Sequence, residues 1–267
     1  MNDLSENKEK EFVGMIICEI ILYGLIFFAG ASVYSFLNVV IYRVPRGESF
    51  VTGRSYCPSC GHILGALDLI PVISFLFLKG KCRYCKTKIG VRDTLIEIFG
   101  GALLLFCMLH FEKTEEGLTV FAFFAILTVV AFLDIDTMEI ADGCHLCMIV
   151  LSVISFFTMP GTGIGARIAG ALCVSLPMLL LALVIPGAFG GGDIKLMAAC
   201  GLFLGWKLTL VSTFWGFLFG GIWGVFLLAT KKAGRKESFP FGPFLCIGMG
   251  IGLLYGQSFL DWYFSLI

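Results

Sequence analysis

Four cysteines stand in two C-x-x-C pairs, Cys57 with Cys60 and Cys82 with Cys85, joined by a linker of 21 residues that slightly exceeds the usual range. Two such pairs let four thiolates close a tetrahedron around Zn²⁺, each pair forming a tight turn, with Gly61 at the first. Disulfide pairing is the alternative, and a reducing compartment disfavours it. With every position filled by a protein ligand, the expected site is closed and structural, and His62 lies beside it or on the surface rather than ligating. The linker segment from Asp68 to Leu78 is apolar enough to lie on a membrane or against a helix bundle, and too short to span.

The second set of chemically capable residues is acidic. The segment AFLDIDTMEIAD carries Asp134, Asp136, Glu139 and Asp142, and FGGGDIKLMAA carries Asp193 behind Gly190, Gly191 and Gly192. Both clusters adjoin long apolar runs, where an ionisable side chain is costly and marks a functional site by default. On a helix Asp134 and Asp136 point about 200° apart, so one faces the bundle and the other the headgroups. Two carboxylates on the same face at the same depth can share a proton and activate a water. The plainer reading of Asp193 is a helix N-cap after a glycine turn. Thr94 and Glu97 match a capping box at the start of an apolar helix, and Cys144 and Cys147, in CHLC, are expected to be packing residues.

The elements that must hold these residues are membrane helices. Of the 267 residues, 58% are hydrophobic and 14% charged, against about 25% charged in an ordinary soluble domain. A disordered, collagen-like or nucleic-acid-coating chain is excluded. Seven cysteines (Cys18, Cys107, Cys144, Cys147, Cys173, Cys200, Cys246) fall in or beside apolar runs and are expected to be membrane packing. The run that follows the polar start MNDLSENKEKEF is too long for a signal-peptide core, so it is expected to be retained as a helix.

Eight spans are expected: Val13–Ile41, Leu95–Phe111, Leu118–Leu133, Cys144–Pro160, Ala166–Ile185, a short one at Ile194–Leu204, Leu208–Thr230 and Pro243–Leu260. From Arg43 to Arg92 there are nine Lys or Arg residues against Glu48 and Asp68, with Asp93 next in line. Short basic loops stay cytoplasmic. Eight spans place that loop, the run Lys231, Lys232, Arg235 and Lys236, and both acidic connections on the cytoplasmic face. The turn at 112–117, Thr162 and the turn at 205–207 then fall outside. The expected organisation is an N-terminal segment and first helix (1–41), a cytoplasmic zinc-binding loop domain (42–94) and a transmembrane domain that carries the acids (95–267).

These residues resemble the type IV prepilin peptidases, the leader peptidase and N-methyltransferase family of bacterial aspartic proteases in the membrane. The matching motifs are FLNVVIYRVPRGESF, the two cysteine pairs with IPVISFLFLKGK between them, D-x5-I-x-D from Asp134 through Ile140 to Asp142, GGGDIKL, and PFGPF at Pro240–Phe244. The resemblance implies Asp134 and Asp193 as the catalytic acids, supported by Gly190, Gly191, Gly192 and Lys195. It also implies prepilin or pseudopilin substrates cut after a Gly behind a short basic leader, and a bacterial inner-membrane location with the site facing the cytoplasm. Methylation of the new N-terminus with S-adenosylmethionine is implied too. The chain has no glycine-rich dinucleotide-type fingerprint, so the sequence assigns the methyl donor no pocket. Two departures stand out: Ala141 and Thr94 occupy positions where the family usually has Pro. Lys195 is expected to temper charge repulsion or meet headgroups. The rival reading is a membrane assembly or transport component whose zinc loop docks a partner and whose acids form an ion path.

Overall fold

The computed structural model describes residues 2–185, 187–230 and 239–266. The basic run Lys231, Lys232, Arg235 and Lys236 and the start of the Pro186–Asp193 connection lie outside the described residues. The helices in chain order are α1 (Asn2–Arg43), α2 (Ile73–Phe77), α3 (Val91–His110), α4 (Thr114–Thr137), α5 (Asp142–Thr158), α6 (Ile164–Cys173), α7 (Ser175–Val184), α8 (Gly191–Leu204), α9 (Trp206–Ala229) and α10 (Gly242–Ser265). Among the described residues there is no strand, only the antiparallel bridges Tyr56 with Ile63 and Lys81 with Lys88.

Six helical stretches among the described residues are long and apolar enough to cross a membrane: Phe12–Arg46, Val91–His110, Thr114–Thr137, Ile164–Val184, Trp206–Ala229 and Gly242–Ser265. The chain is therefore a multi-pass helical membrane protein. Each of the eight expected spans is helical, but α5 and α8 have only 17 and 14 residues, below the ~20 a bilayer ordinarily requires.

The helix boundaries depart from the sequence reading in three places, each with a local cause. Helix α1 runs on through its polar N-terminal residues, because Glu, Lys and Leu are good helix formers and no Gly or Pro interrupts them. Helix α3 starts at Val91 with Gly90 as N-cap, since nothing at Thr94 stops it. The Thr94–Glu97 capping box is thus not formed. Thr94 is buried inside the helix, and Glu97 Oε2 accepts from the Val72 N–H at 2.9 Å. Val72 has φ +62°, an outlier for a β-branched residue. The expected single span Ala166–Ile185 breaks at Val174. Pro177 removes an i→i−4 hydrogen bond and its ring crowds the carbonyl of Cys173.

Residues Met1–Phe121 and Ala122–Ile267 form two compact units. In the first, α1 packs closely on α3: a Cβ on Gly30 would fall 2.5 Å from the Gly100 carbonyl oxygen, and one on Gly100 2.2 Å from the Tyr34 ring. Small residues permit this approach, which in lipid is driven by packing rather than by hydrophobic burial. Arg43, counted with the basic loop by sequence, is buried. Its guanidinium donates to the carbonyls of Ser49 at 2.9 Å, Thr52 at 3.1 Å and Arg54 at 3.1 Å, gathering the start of the loop.

The second unit has a core formed in part by Phe123, Met148, Leu196, Met197, Leu245 and Met249. Helix α8 packs against α5, α6 and α9. At one end Arg167, 1% exposed, donates to the carbonyls of Ser155 and Met159 at 3.0 Å and of Phe203 at 3.3 Å. A cation there satisfies the orphan carbonyls where α5 and α8 finish. The N-termini of both helices therefore meet at the opposite end, with the acids.

Candidate active site and metal centre

Asp134 sits in the last turn of α4 and is 6% exposed. Its Oδ2 accepts from the Gly242 N–H at 2.8 Å, so the carboxyl covers one of the orphan amides that open α10. This explains the glycine of PFGPF: a Cβ on Gly242 would lie 2.8 Å from Asp134 Oδ2. Asp136 is exposed, as its helical phase demands.

Asp193 is not an N-cap. The N-cap of α8 is Gly190, φ −70° and ψ 143°, and Asp193 is the third residue inside the helix. From there its carboxyl lies beside Gly190, with Oδ2 3.3 Å from where a Cβ on that glycine would sit. Asp193 is only partly buried, and Gly192 beside it lies against Ile140, six residues on from Asp134, so the two acidic segments meet. The structure therefore brings the two acids into one site, in unlike surroundings: one buried against a backbone amide, the other at a helix N-terminus.

The segment joining α4 to α5 is built around the glycine turn. Gly192 leaves room for Ile140, whose Cβ would lie 3.2 Å from a Cβ added to that glycine. Ala141 is the N-cap of α5 with φ −64° and ψ 134°, the φ that a proline would fix, so the departure from Pro leaves the turn's path intact. Lys195 donates to Asp142 Oδ1 at 2.8 Å, an exposed pair tying α8 to α5, so its ammonium is engaged there. Sequence reasoning passed over His145 altogether. This residue of the CHLC stretch is buried, with Nε2 3.0 Å from the Gly192 carbonyl oxygen. Of its neighbours, Cys144 is half-buried against the core and Cys147 is exposed, so only the first is a packing residue. Cys18 is exposed as well, while Cys107, Cys200 and Cys246 are buried.

In the first unit, the Sγ atoms of Cys57, Cys60, Cys82 and Cys85 all lie within 4.8 Å of one another. The two turns are near copies: Gly61 N donates to Cys57 O at 2.8 Å and Lys86 N to Cys82 O at 3.1 Å. Both turn residues have positive φ, 71° at Gly61 and 61° at Lys86. The donor set fits a metal ion. The Thr87 hydroxyl and backbone favour the thiolate at Cys85 and pull its pKa down to about 6, and backbone amides of Cys60 and Ser59 lower that of Cys57. His62 is exposed, its ring tilted 33° against that of Tyr84 with the centroids 3.5 Å apart. Asp68 joins the knuckles by accepting from Arg83 at 2.6 Å. In the linker, Leu76 and Phe77 are 66% and 83% exposed.

Residues 28–111 match the bacterial peptidase A24 N-terminal domain, and residues 121–225 match the type IV leader peptidase family. A prepilin leader peptidase/N-methyltransferase of Burkholderia pseudomallei is 32% identical, over 86% of this chain and 84% of its own length. The chain belongs to the type IV leader peptidase family. Other relatives bearing that name include those of Bacillus subtilis, 29% identical over 92% of this chain and 99% of the relative, and of Aeromonas salmonicida, 29% identical over 92% and 94%. No solved structure matches the chain significantly. The N-terminal match contains the four-thiol cluster, and the leader peptidase match contains Asp134, Asp142, His145 and Asp193.

Proposed function

We propose that the protein is a membrane aspartic endopeptidase that removes the short basic leader of type IV prepilins or pseudopilins after a Gly, and then methylates the new N-terminus. The observation that carries the reading is the pairing of Asp134 and Asp193 at one end of the helical bundle, in a member of a leader peptidase family. One carboxylate, ionised, takes a proton from a water that attacks the scissile carbonyl. The other, protonated, donates to the carbonyl oxygen or the leaving amide. The basic loop and the positive-inside rule favour a bacterial inner-membrane placement with this end in the cytoplasm, where an uncleaved basic leader remains.

The four thiols are read as a structural Zn²⁺ site, closed to substrate. S-adenosylmethionine supplies the methyl group, and the names of the relatives support that second activity. The experiment is an incubation of membranes containing the protein with a candidate prepilin and the methyl donor, scoring the size shift and N-terminal methylation separately. Loss of the leader is expected, and an unshifted prepilin across several candidate pilins would favour the assembly or transport reading.

The Gly242 contact gives a finer expectation. Gly242→Ala forces the Asp134 carboxyl to move while keeping the N–H it accepts from, so cleavage should fall by up to ~100-fold, the cost of small misplacements of catalytic groups. Steady-state cleavage rates normalised to protein level check it.

A further inference from the structure

The turn that delivers Asp193 is made of three glycines, which supply no side chain of their own to hold it and lose the most freedom on ordering. Two contacts on its neighbours are already described: Ile140 packs on Gly192, and Lys195 pairs with Asp142. The second is an exposed ion pair, side chains 60% and 81% exposed, and such pairs contribute little. His145 is different. It is 5% exposed, and because a carbonyl only accepts, the 3.0 Å contact to Gly192 O requires the proton on Nε2. The carbonyl it holds belongs to the peptide unit whose nitrogen is that of Asp193. Nδ1 is buried without a hydrogen-bond partner, 3.6 Å from Asp142 Oδ1. The ring thus bridges from the Asp142 carboxylate at the start of α5 to the Gly192 carbonyl at the start of α8.

We infer that His145 is a positioning residue for peptide cleavage: its Nε2–H fixes the Gly192–Asp193 peptide and thereby the approach of the Asp193 carboxyl to Asp134. This rests on the reading of Asp193 as one of the catalytic pair. His145 acts through the backbone and does not touch the substrate, so its loss should lower kcat and leave KM nearly unchanged.

Two amide variants separate positioning from packing. In His145→Gln the side-chain NH₂ falls where Nε2 was and can still reach the Gly192 carbonyl. In His145→Asn the amide falls near the Nδ1 position and cannot. Full-length protein in native membranes is assayed for cleavage of a prepilin and, separately, for methyl transfer to a pilin peptide that already begins at its mature N-terminus, with Asp193→Asn in parallel. The expected result is a kcat for His145→Asn about tenfold lower, the scale of one positioning hydrogen bond. Its KM and its methyl transfer should match wild type, His145→Gln should keep most of kcat, and Asp193→Asn should not cleave. The inference is overturned if His145→Asn cleaves like wild type, if both variants lose kcat equally, or if His145→Asn fails to accumulate or loses methyl transfer in proportion, since His145 is then a folding residue. An Asp193→Asn protein that cleaves normally would instead remove the catalytic reading beneath it, whatever the histidine variants do.

Discussion

Asp134→Asn and Asp193→Asn are each expected to reduce prepilin cleavage by ~10³-fold or more while the protein still inserts and accumulates in the membrane. General acid/base groups typically contribute 10²–10⁴-fold, and a pair that works as a unit loses most of its effect when either member goes. The double variant should therefore be little worse than either single one. Asparagine preserves size, and at Asp134 the amide oxygen can still accept from the Gly242 N–H, so the bundle has no reason to unfold. Methylation of a peptide that already carries its mature N-terminus should survive both substitutions. A docking or transport component would instead keep its partner binding with both acids replaced. Cleavage of membrane-embedded prepilin, followed by the size shift, reads the result.

The second large effect concerns the metal. Purified, unchelated protein is expected to contain about one zinc per chain, as a closed four-thiolate site requires. Replacing Cys57 and Cys82 together with Ser removes one ligand from each knuckle. Metal binding supplies the folding free energy of such small domains, ~10–16 kcal/mol for structural zinc, so the loop should lose its structure while the lipid-supported helices persist. The residues proposed for cleavage lie on α4, α8 and α10, none of which belongs to the loop. The loop, rigidified by metal and outside the lipid, is the part of the chain suited to holding a soluble methyl donor, so N-methylation should fall more than cleavage. Elemental analysis together with separate assays of the two activities checks this, and equal loss of both at unchanged protein level would mean that the loop positions the leader for the acids.

Much of the site was legible because its chemistry is local in sequence. The C-x-x-C spacing brings each pair of thiols together within one turn, and the acids stand out because carboxylates beside apolar runs are expensive. The phase difference between Asp134 and Asp136 follows from 3.6 residues per turn and needs no tertiary knowledge. What escaped were contacts made across the fold. The Gly242 amide meets Asp134 across 108 positions of sequence and His145 meets Gly192 across 47, and no periodicity announces either. His145 was hidden further by its setting, since a histidine between two cysteines in an apolar helix reads as core. Glu97 matched a helix-start pattern by chance of spacing, while its actual partner is a loop amide 25 residues away. The break between α6 and α7 could have been read from Pro177, had the run not been apolar enough to suggest an unbroken span.

Whether Asp134 and Asp193, rather than some other acids at this membrane edge, perform the cleavage is decided by one pair of variants. The comparison that tests it most directly is between Asp134→Asn and Asp136→Asn. The two residues lie two positions apart at the end of α4, the substitutions change charge identically, and only Asp134 is buried. With both variants at wild-type levels in the membrane, the initial rate of prepilin cleavage should be abolished by the first and largely retained by the second. Cleavage by Asp134→Asn beside an inactive Asp136→Asn would reverse the assignment of the two acids.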